Sequence, residues 1–167
     1  MNLDFNEIQD GDKFEDLVIS YFEDLKNEKN NITKVDVKPS GTGTDGGRDI
    51  LVSFNVTDGI NDFERKWVIQ CKFHNRNIST NNINDINIPT LIHSYNADGY
   101  LLIIKERPTS KLTDLFERLN DNCKLNYSHI IWSGEQFKRL ILTKSIPTIL
   151  EQYFPKYYKY CKQNNIL

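Results

Sequence analysis

The stretch GTGTDGGRDILVSF at positions 41–54, followed by KWVIQCKF at positions 66–73, decides the fold of this 167-residue chain. Its glycines spell a GxGxxG pattern from Gly41 to Gly46, which marks a dinucleotide site when a helix follows it. Here the pattern is followed by RDILVSF, an alternating, β-branched segment that predicts a strand. We therefore interpret the glycines as a tight turn that permits close backbone approach, with Asp45 stabilising the turn.

Residues 48–54 and 66–74 both alternate with the period of two that is typical of β-strands. In the later strand one face is apolar and consists of Trp67, Ile69, Cys71 and Phe73. The earlier strand has a matching apolar face of Ile50, Val52 and Phe54. If the two strands pair, both apolar faces share one side of the sheet. Asp49, Gln70 and Lys72 then converge on the other side.

These converging side chains suit phosphodiester hydrolysis, which needs a hard cation to neutralise developing charge and activate a water molecule. Mg²⁺ prefers oxygen ligands, and Mn²⁺ is a possible substitute. Asp49 offers a carboxylate, Gln70 an amide oxygen and Cys71 its backbone carbonyl. Lys72 can orient the water or stabilise the pentavalent phosphate electrostatically. Glu15, earlier in the chain, can add a further carboxylate oxygen.

Residues 12–26 have the apolar spacing of an amphipathic helix. Its apolar stripe consists of Phe14, Leu17, Val18, Tyr21, Phe22 and Leu25. We expect Asp12 to cap this helix, with Glu15 three residues on as its capping-box partner. Glu15 lies at the border of the stripe, so it points along the boundary between core and solvent.

The remaining segments predict a mixed sheet flanked by helices, which is an α/β fold. Further strands are expected at 33–38, 99–106 and 127–133. Further helices are expected at 79–95 with a bend near Pro89, at 109–120, at 134–142 and at 146–154. Asp58 and Gly59 predict a turn within an extended connection over residues 55–65.

Three separated motifs resemble the Mrr-type branch of the PD-(D/E)xK nuclease superfamily. They are FEDL at 14–17, GTGTDGGRD at 41–49 and IQCK at 69–72, with Gln where the superfamily usually has Glu. The resemblance implies a restriction-endonuclease-like fold, Mg²⁺ dependence and a DNA substrate. It implies a catalytic set of Asp49, Gln70 and Lys72, with Glu15 contributing from the first helix.

The same resemblance bears on domain organisation and partners. We expect residues 1–167 to form a single Mrr-like nuclease domain, either complete in itself or the N-terminal effector domain of a larger bacterial anti-phage defence or restriction protein. Cutting both DNA strands usually takes two active sites, so a homodimer or higher oligomer is expected.

The charge of the chain is unevenly distributed. The net charge is −2, and residues 1–28 carry nine acidic side chains. Basic residues cluster around the expected site, and of these we expect phosphate contacts from Arg48, His74 and Arg76. We interpret Lys156, Lys159 and Lys162 near the end as a solvated surface. Because the chain is acidic overall, further DNA contacts are expected from a partner protein or an appended sensor or ATPase domain.

Cysteine usage and hydropathy point to a cytoplasmic protein without a membrane span. Cys71, Cys123 and Cys161 are far apart and form no CxxC pair, which disfavours a zinc site and a disulfide framework. No apolar run approaches the roughly 18 residues of a membrane helix, and the acidic N-terminus does not resemble a signal peptide.

Structural roles are alternatives for each candidate side chain. Asp49 can cap a turn, Gln70 can pair with a neighbouring strand and Lys72 can extend to solvent. Glu15 can serve only the helix cap, and His74 can be a surface residue. At the level of function, the alternatives are a catalytically inactive module for DNA binding or assembly, and a nuclease that acts on RNA.

Overall fold

Five strands form a mixed sheet in a computed structural model of the chain, which describes residues 2–25, 31–40, 48–144 and 147–166. The strands are β1 (Ile32–Pro39), β2 (Ile50–Thr57), β3 (Asp62–Lys72), β4 (Gly99–Ile104) and β5 (Ser128–Trp132). The helices are α1 (Gly11–Asp24), α2 (Ile88–Ser94), α3 (Ser110–Asp121), α4 (Gly134–Lys144), α5 (Pro147–Tyr153) and α6 (Pro155–Gln163). This is the predicted α/β architecture. The glycine-rich loop, with its predicted tight turn and Asp45, lies outside the described residues.

The strands are ordered β1-β2-β3-β4-β5. The pairs β1–β2 and β2–β3 are antiparallel, whereas β3–β4 and β4–β5 are parallel. The last three strands therefore end on the same side of the sheet, at Lys72, Ile104 and Trp132. We call this side the carboxyl end of the sheet. Side chains that follow these strands are brought together there although they are far apart in the sequence.

Pairing of β2 with β3 confirms the predicted faces. Ile50 lies opposite Ile69 and Val52 opposite Trp67, and these side chains pack with α1, α4 and α5. The other face is also apolar over most of its area, because Val68 packs with residues of α2, α3 and β4. All six residues of β4 are consequently buried.

Helix α1 begins earlier than the sequence predicted, and its cap is a different residue. Asp10 has an extended backbone, and its side chain accepts a hydrogen bond from the Lys13 N–H. Asp12 lies inside the first turn, so the prediction that it caps the helix is wrong. Glu15 is therefore not a capping-box partner, since that position belongs to Lys13.

The connection between β2 and β3 is shorter than predicted. The two strands remain paired out to Thr57 and Asp62, so the loop is only residues 58–61. Asp58 closes it by accepting hydrogen bonds from the N–H groups of Ile60 and Asn61, and Gly59 has a φ of +89°. The expected extended connection over 55–65 is thus the exposed tip of a hairpin.

Two helical regions differ from the sequence expectation. The region 79–95 contains a 3₁₀ turn at Thr80–Asn82 and then α2, with Pro89 in its first turn, where proline is tolerated. Helix α6 was not predicted, and its three lysines are exposed as expected. None of the helices in the described ranges is both long and apolar enough to cross a bilayer.

Candidate active site

Asp49 is held at the start of β2 through both its backbone and its side chain. Its N–H donates to the carbonyl of Ile69 at 3.0 Å, and its own carbonyl accepts from the N–H of Ser40 at 2.7 Å. The carboxylate oxygen Oδ2 accepts from the N–H of Cys71 at 2.6 Å. The carboxylate is thus fixed against the last residues of β3.

Lys72 and Glu15 approach this carboxylate from two different elements. Lys72 is the last residue of β3 and is half-buried, and its carbonyl accepts from the N–H of Lys105 at 3.0 Å. Glu15 is half-buried in the second turn of α1. The Lys72 charge lowers the pKa of Glu15 and of Asp49, so the three groups form one electrostatic cluster.

The pKa values of both carboxyl groups of this cluster are raised. Burial, and secondly the negative charge of Asp49, raise the pKa of Glu15 to about 7. Burial also raises the pKa of Asp49, against the opposing effects of the Cys71 N–H and the Lys72 charge. A divalent cation between two such carboxylates would remove their repulsion, so the donor set fits Mg²⁺.

Gln70 differs from the other candidates because it is buried in the sheet. Only 3% of its surface is exposed, and its Oε1 accepts a hydrogen bond of 2.5 Å from the hydroxyl of Tyr100 on β4. This is the strand pairing that the sequence left open as the structural role of Gln70. An amide oxygen has two lone pairs, so the hydrogen bond leaves one that can ligate a cation.

Tyr100 is the site-associated residue that the sequence analysis missed. It is fully buried on the same face as Gln70, where a phenol needs a hydrogen-bond partner. A tyrosine at the start of the otherwise aliphatic run GYLLII was the available signal. The partner was not visible, because it lies 30 residues earlier in the chain.

Some of the predicted metal ligands face the same edge of the sheet. The Cys71 N–H points to Asp49, and the carbonyl of a strand residue leaves on the same side as its N–H, so the Cys71 carbonyl also faces this edge. Within the described ranges, no three His, Cys, Asp or Glu side chains come together as a metal site. A cation would thus rely on Asp49, Glu15 and carbonyl or amide oxygens, and this ligand set remains a prediction.

The three predicted phosphate contacts occupy different surroundings. Arg48 precedes Asp49 in the sequence, and its guanidinium lies 4.6 Å from the ring centre of Tyr95. His74 and Arg76 are exposed in the connection that leaves β3. His74 thus lies on the surface, which was the alternative to a phosphate contact. Contact of Arg48, His74 or Arg76 with phosphate remains a prediction.

Comparisons with known proteins bear on the family and the fold of the chain. The sequence profile of Mrr_cat, described as a restriction endonuclease, matches residues 7–141. The DNA modification-dependent restriction endonuclease AspBHI has a similar fold, with a TM-score of 0.57 and 12% identity over 90% of this chain and 35% of that one. The MspJI restriction endonuclease, in complex with a 27-mer oligonucleotide, gives a TM-score of 0.51 and 13% identity over 84% of this chain and 32% of that one.

The chain thus spans about a third of the length of these two structures. At 12% and 13% identity, they establish the restriction-endonuclease-like fold alone. No curated protein is significantly similar to the chain.

Proposed function

The chain belongs to the Mrr_cat restriction endonuclease family, and on that premise we propose that it is a Mg²⁺-dependent endonuclease that hydrolyses phosphodiester bonds in DNA. One observation carries the proposal: the Cys71 N–H holds the Asp49 carboxylate against the end of β3, one residue before Lys72, and the charges of Asp49 and Lys72 both act on Glu15. Two carboxylates beside a fixed positive charge are suited to hydrolysis of an anionic ester.

Each residue of the cluster has a distinct task in this proposal. Asp49 and Glu15 would hold Mg²⁺, or Mn²⁺ in its place, together with the oxygens of Gln70 and the Cys71 backbone. When bound, the cation supplies a Lewis acid and an activated water. Lys72 contributes positive charge beside the phosphate, where negative charge develops as the water attacks. The Cys71 N–H keeps the Asp49 carboxylate from rotating away.

DNA is the proposed substrate because the family is one of restriction endonucleases, and because the MspJI structure contains an oligonucleotide. We assign the activity to bacterial restriction or anti-phage defence in the cytoplasm, carried out by a homodimer or higher oligomer. Since the chain spans about a third of its structural neighbours, an appended sensor or ATPase domain or a partner protein is the proposed source of target recognition.

Plasmid nicking in Mg²⁺ and in EDTA tests the proposal directly. Lys72→Ala should slow cleavage by about 10²–10³, because loss of one such electrostatic contact costs about 3–4 kcal/mol. Asp49→Ala should abolish cleavage, whereas Lys159→Ala, on the exposed side of α6, should cut at the wild-type rate. Unchanged cutting by the Asp49 and Lys72 variants would refute the mechanism. A matched RNA substrate, tested under the same conditions, decides whether the chain cleaves DNA or RNA.

A catalytically inactive DNA-binding or assembly module is the second candidate. It is favoured by the burial of Gln70 and the engagement of its Oε1 by Tyr100, together with the net charge of −2. This candidate predicts a salt-dependent gel shift or a stable oligomer, and no cleavage with any divalent cation. Robust Mg²⁺-dependent cutting would eliminate it.

A further inference from the structure

The connections that leave the three parallel strands are bonded to one another at the carboxyl end of the sheet. The N–H of Lys105 donates to the carbonyl of Lys72 at 3.0 Å, and the N–H of Gly134 donates to the carbonyl of Glu106 at 3.0 Å. The approach at Gly134 is so close that a Cβ there would lie 1.7 Å from the Lys105 carbonyl oxygen. Residues that follow β4 and β5 are therefore fixed relative to Lys72.

The connection after β3 is joined to the connection after β4 in the same way. The N–H of Ile78 donates to the carbonyl of Arg107 at 2.9 Å, and the N–H of Thr109 donates to the carbonyl of Ile78 at 2.8 Å. Arg76 and Arg107 are both exposed on these two connections. A positive charge thus follows β4 on the same side of the sheet as the candidate active site.

Arg107 also lines a cleft of about 540 Å³ between α3 and the first turns of α4. Arg139 of α4 also lines this cleft, as do His129 and Ile131 of β5. Arg107 and Arg139 are exposed on the surface, so their guanidinium groups are available to a ligand in the cleft.

Two arginines and two glutamates line the cleft, and one of these glutamates, Glu135, lies among three cations. The Glu135 carboxylate accepts a hydrogen bond from Lys138, and the charges of Lys138, Arg107 and Arg139 lower its pKa. Three cations within electrostatic range of one carboxylate attract anions. The other acidic residue of the cleft, Glu117, lies two turns along α3, away from the carboxyl end of the sheet.

We propose that Arg107 and Arg139 bind the phosphate backbone of DNA beside the cleavage site and so extend the DNA-binding surface from Lys72 to α4. The inference rests on the proposed DNA substrate. Neighbouring strands lie about 4.8 Å apart, so the ends of β3 and β5 are about 10 Å apart. That distance corresponds to about three phosphates of one DNA strand, measured along the helix axis. A continuous duplex can therefore lie over the active site and reach the cleft.

The salt dependence of DNA binding tests this assignment. Binding of a fluorescent duplex is measured by anisotropy in EDTA, at salt concentrations from 50 to 300 mM. The logarithm of the DNA association constant falls as the logarithm of the salt concentration rises, and each lost phosphate contact should make this slope less steep by about 0.9. The double variant Arg107→Gln with Arg139→Gln should therefore make it less steep by about 2. Single-turnover cleavage at saturating DNA should stay within about threefold of wild type, because only ground-state binding is lost.

Two further variants sharpen the test. Glu135→Gln should tighten DNA binding, because it removes the negative charge that competes with phosphate for the same cations. Arg118→Gln is the matched control, since Arg118 is an exposed arginine near the other end of α3. It should leave the slope unchanged.

The possible outcomes separate this inference from the nuclease proposal. An unchanged slope for the double variant, in a protein that binds and cuts DNA, overturns the inference and leaves the nuclease proposal intact. If DNA binding depends on both arginines but the protein fails to cut DNA whichever divalent cation is added, the inference is supported and the nuclease proposal is overturned. If the double variant instead changes the mass of the protein in sedimentation equilibrium, with its DNA affinity unaltered, a second copy of the chain occupies the cleft. The inference is then wrong.

Discussion

Replacement of Glu15 by Gln should stabilise the cation-free protein at alkaline pH and not at acidic pH. The pKa of Glu15 is about 7 in the folded protein and 4.5 for an ordinary glutamate. The folded protein therefore binds this proton more tightly than the unfolded chain does. The resulting stabilisation is fully present below pH 4.5, declines as the pH rises and is lost above about pH 7.

The size of the effect follows from the same two values. The difference between 4.5 and about 7 corresponds to about 3 kcal/mol. Because Glu15 is only half-buried and solvent screens its charge, we expect about 1–2 kcal/mol. Glutamine has the shape of protonated glutamate and no charge, so Glu15→Gln should gain this amount at pH 8. At pH 4 the gain should be under about 0.5 kcal/mol, because the wild-type side chain is then largely protonated in both the folded and the unfolded chain.

Urea unfolding in EDTA at pH 4 and pH 8 measures this difference. Glu23→Gln removes the same charge from an exposed position of α1 and should change stability by less than about 0.5 kcal/mol at both pH values. Mg²⁺ should reduce the advantage of Glu15→Gln, because only the wild type has both carboxylates for the cation. Equal stabilisation at both pH values, or destabilisation at pH 8, would refute a Glu15 pKa that is raised by burial and by the charge of Asp49.

Three further substitutions test other parts of the structure by urea unfolding. Tyr100→Phe should destabilise the protein by about 1–3 kcal/mol, because it leaves the buried Oε1 of Gln70 without a donor. Gly134→Ala should cost about 3 kcal/mol, because its Cβ would overlap the Lys105 carbonyl oxygen. Asp10→Ala should cost about 1 kcal/mol through loss of the α1 cap.

Each of these substitutions has a matched control. In a Gln70→Leu background, Tyr100→Phe should lose most of its effect, and equal destabilisation in both backgrounds would argue against the hydrogen bond. Gly11→Ala should be tolerated because its nearest neighbour would be 3.9 Å away, and a larger cost there than at Gly134 would contradict the steric argument. Asp12→Ala should destabilise the protein less than Asp10→Ala. The reverse order would favour Asp12 as the cap of α1, as the sequence predicted.

Strand alternation made the central part of the site predictable. Asp49 and Lys72 flank two strands whose apolar residues must share one face, so their convergence follows from pattern and pairing alone. The cap of α1 was less predictable, because aspartates at 10 and 12 have the same intrinsic preference for the cap position. What decides between them is the backbone, and Asp10 is the residue in an extended conformation.

Elements exposed to solvent on both sides left weaker patterns. The ends of β2 and β3 carry polar residues such as Asn55 and Glu64, which resemble a loop because no buried face imposes alternation there. Helix α6 buries Cys161 as its one fully enclosed residue, so its periodicity is faint. The Tyr100–Gln70 contact depends on the register of two parallel strands, which neither strand encodes by itself.

The bonding of the strand connections at the carboxyl end of the sheet also bears on how the protein is synthesised. The ribosome completes the IQCK segment at Lys72, yet the groups that bond to this part of the sheet, Lys105 and Gly134, emerge roughly 30 and 60 residues later. Until then β3 has no neighbour on one side, because parallel strands can pair only after their crossover connection has been made. The nascent polypeptide therefore contains Glu15, Asp49, Gln70 and Lys72 before it can hold them in the arrangement of the folded chain. The hydrolytic activity proposed for the chain therefore requires that the residues up to Gly134 have left the exit tunnel.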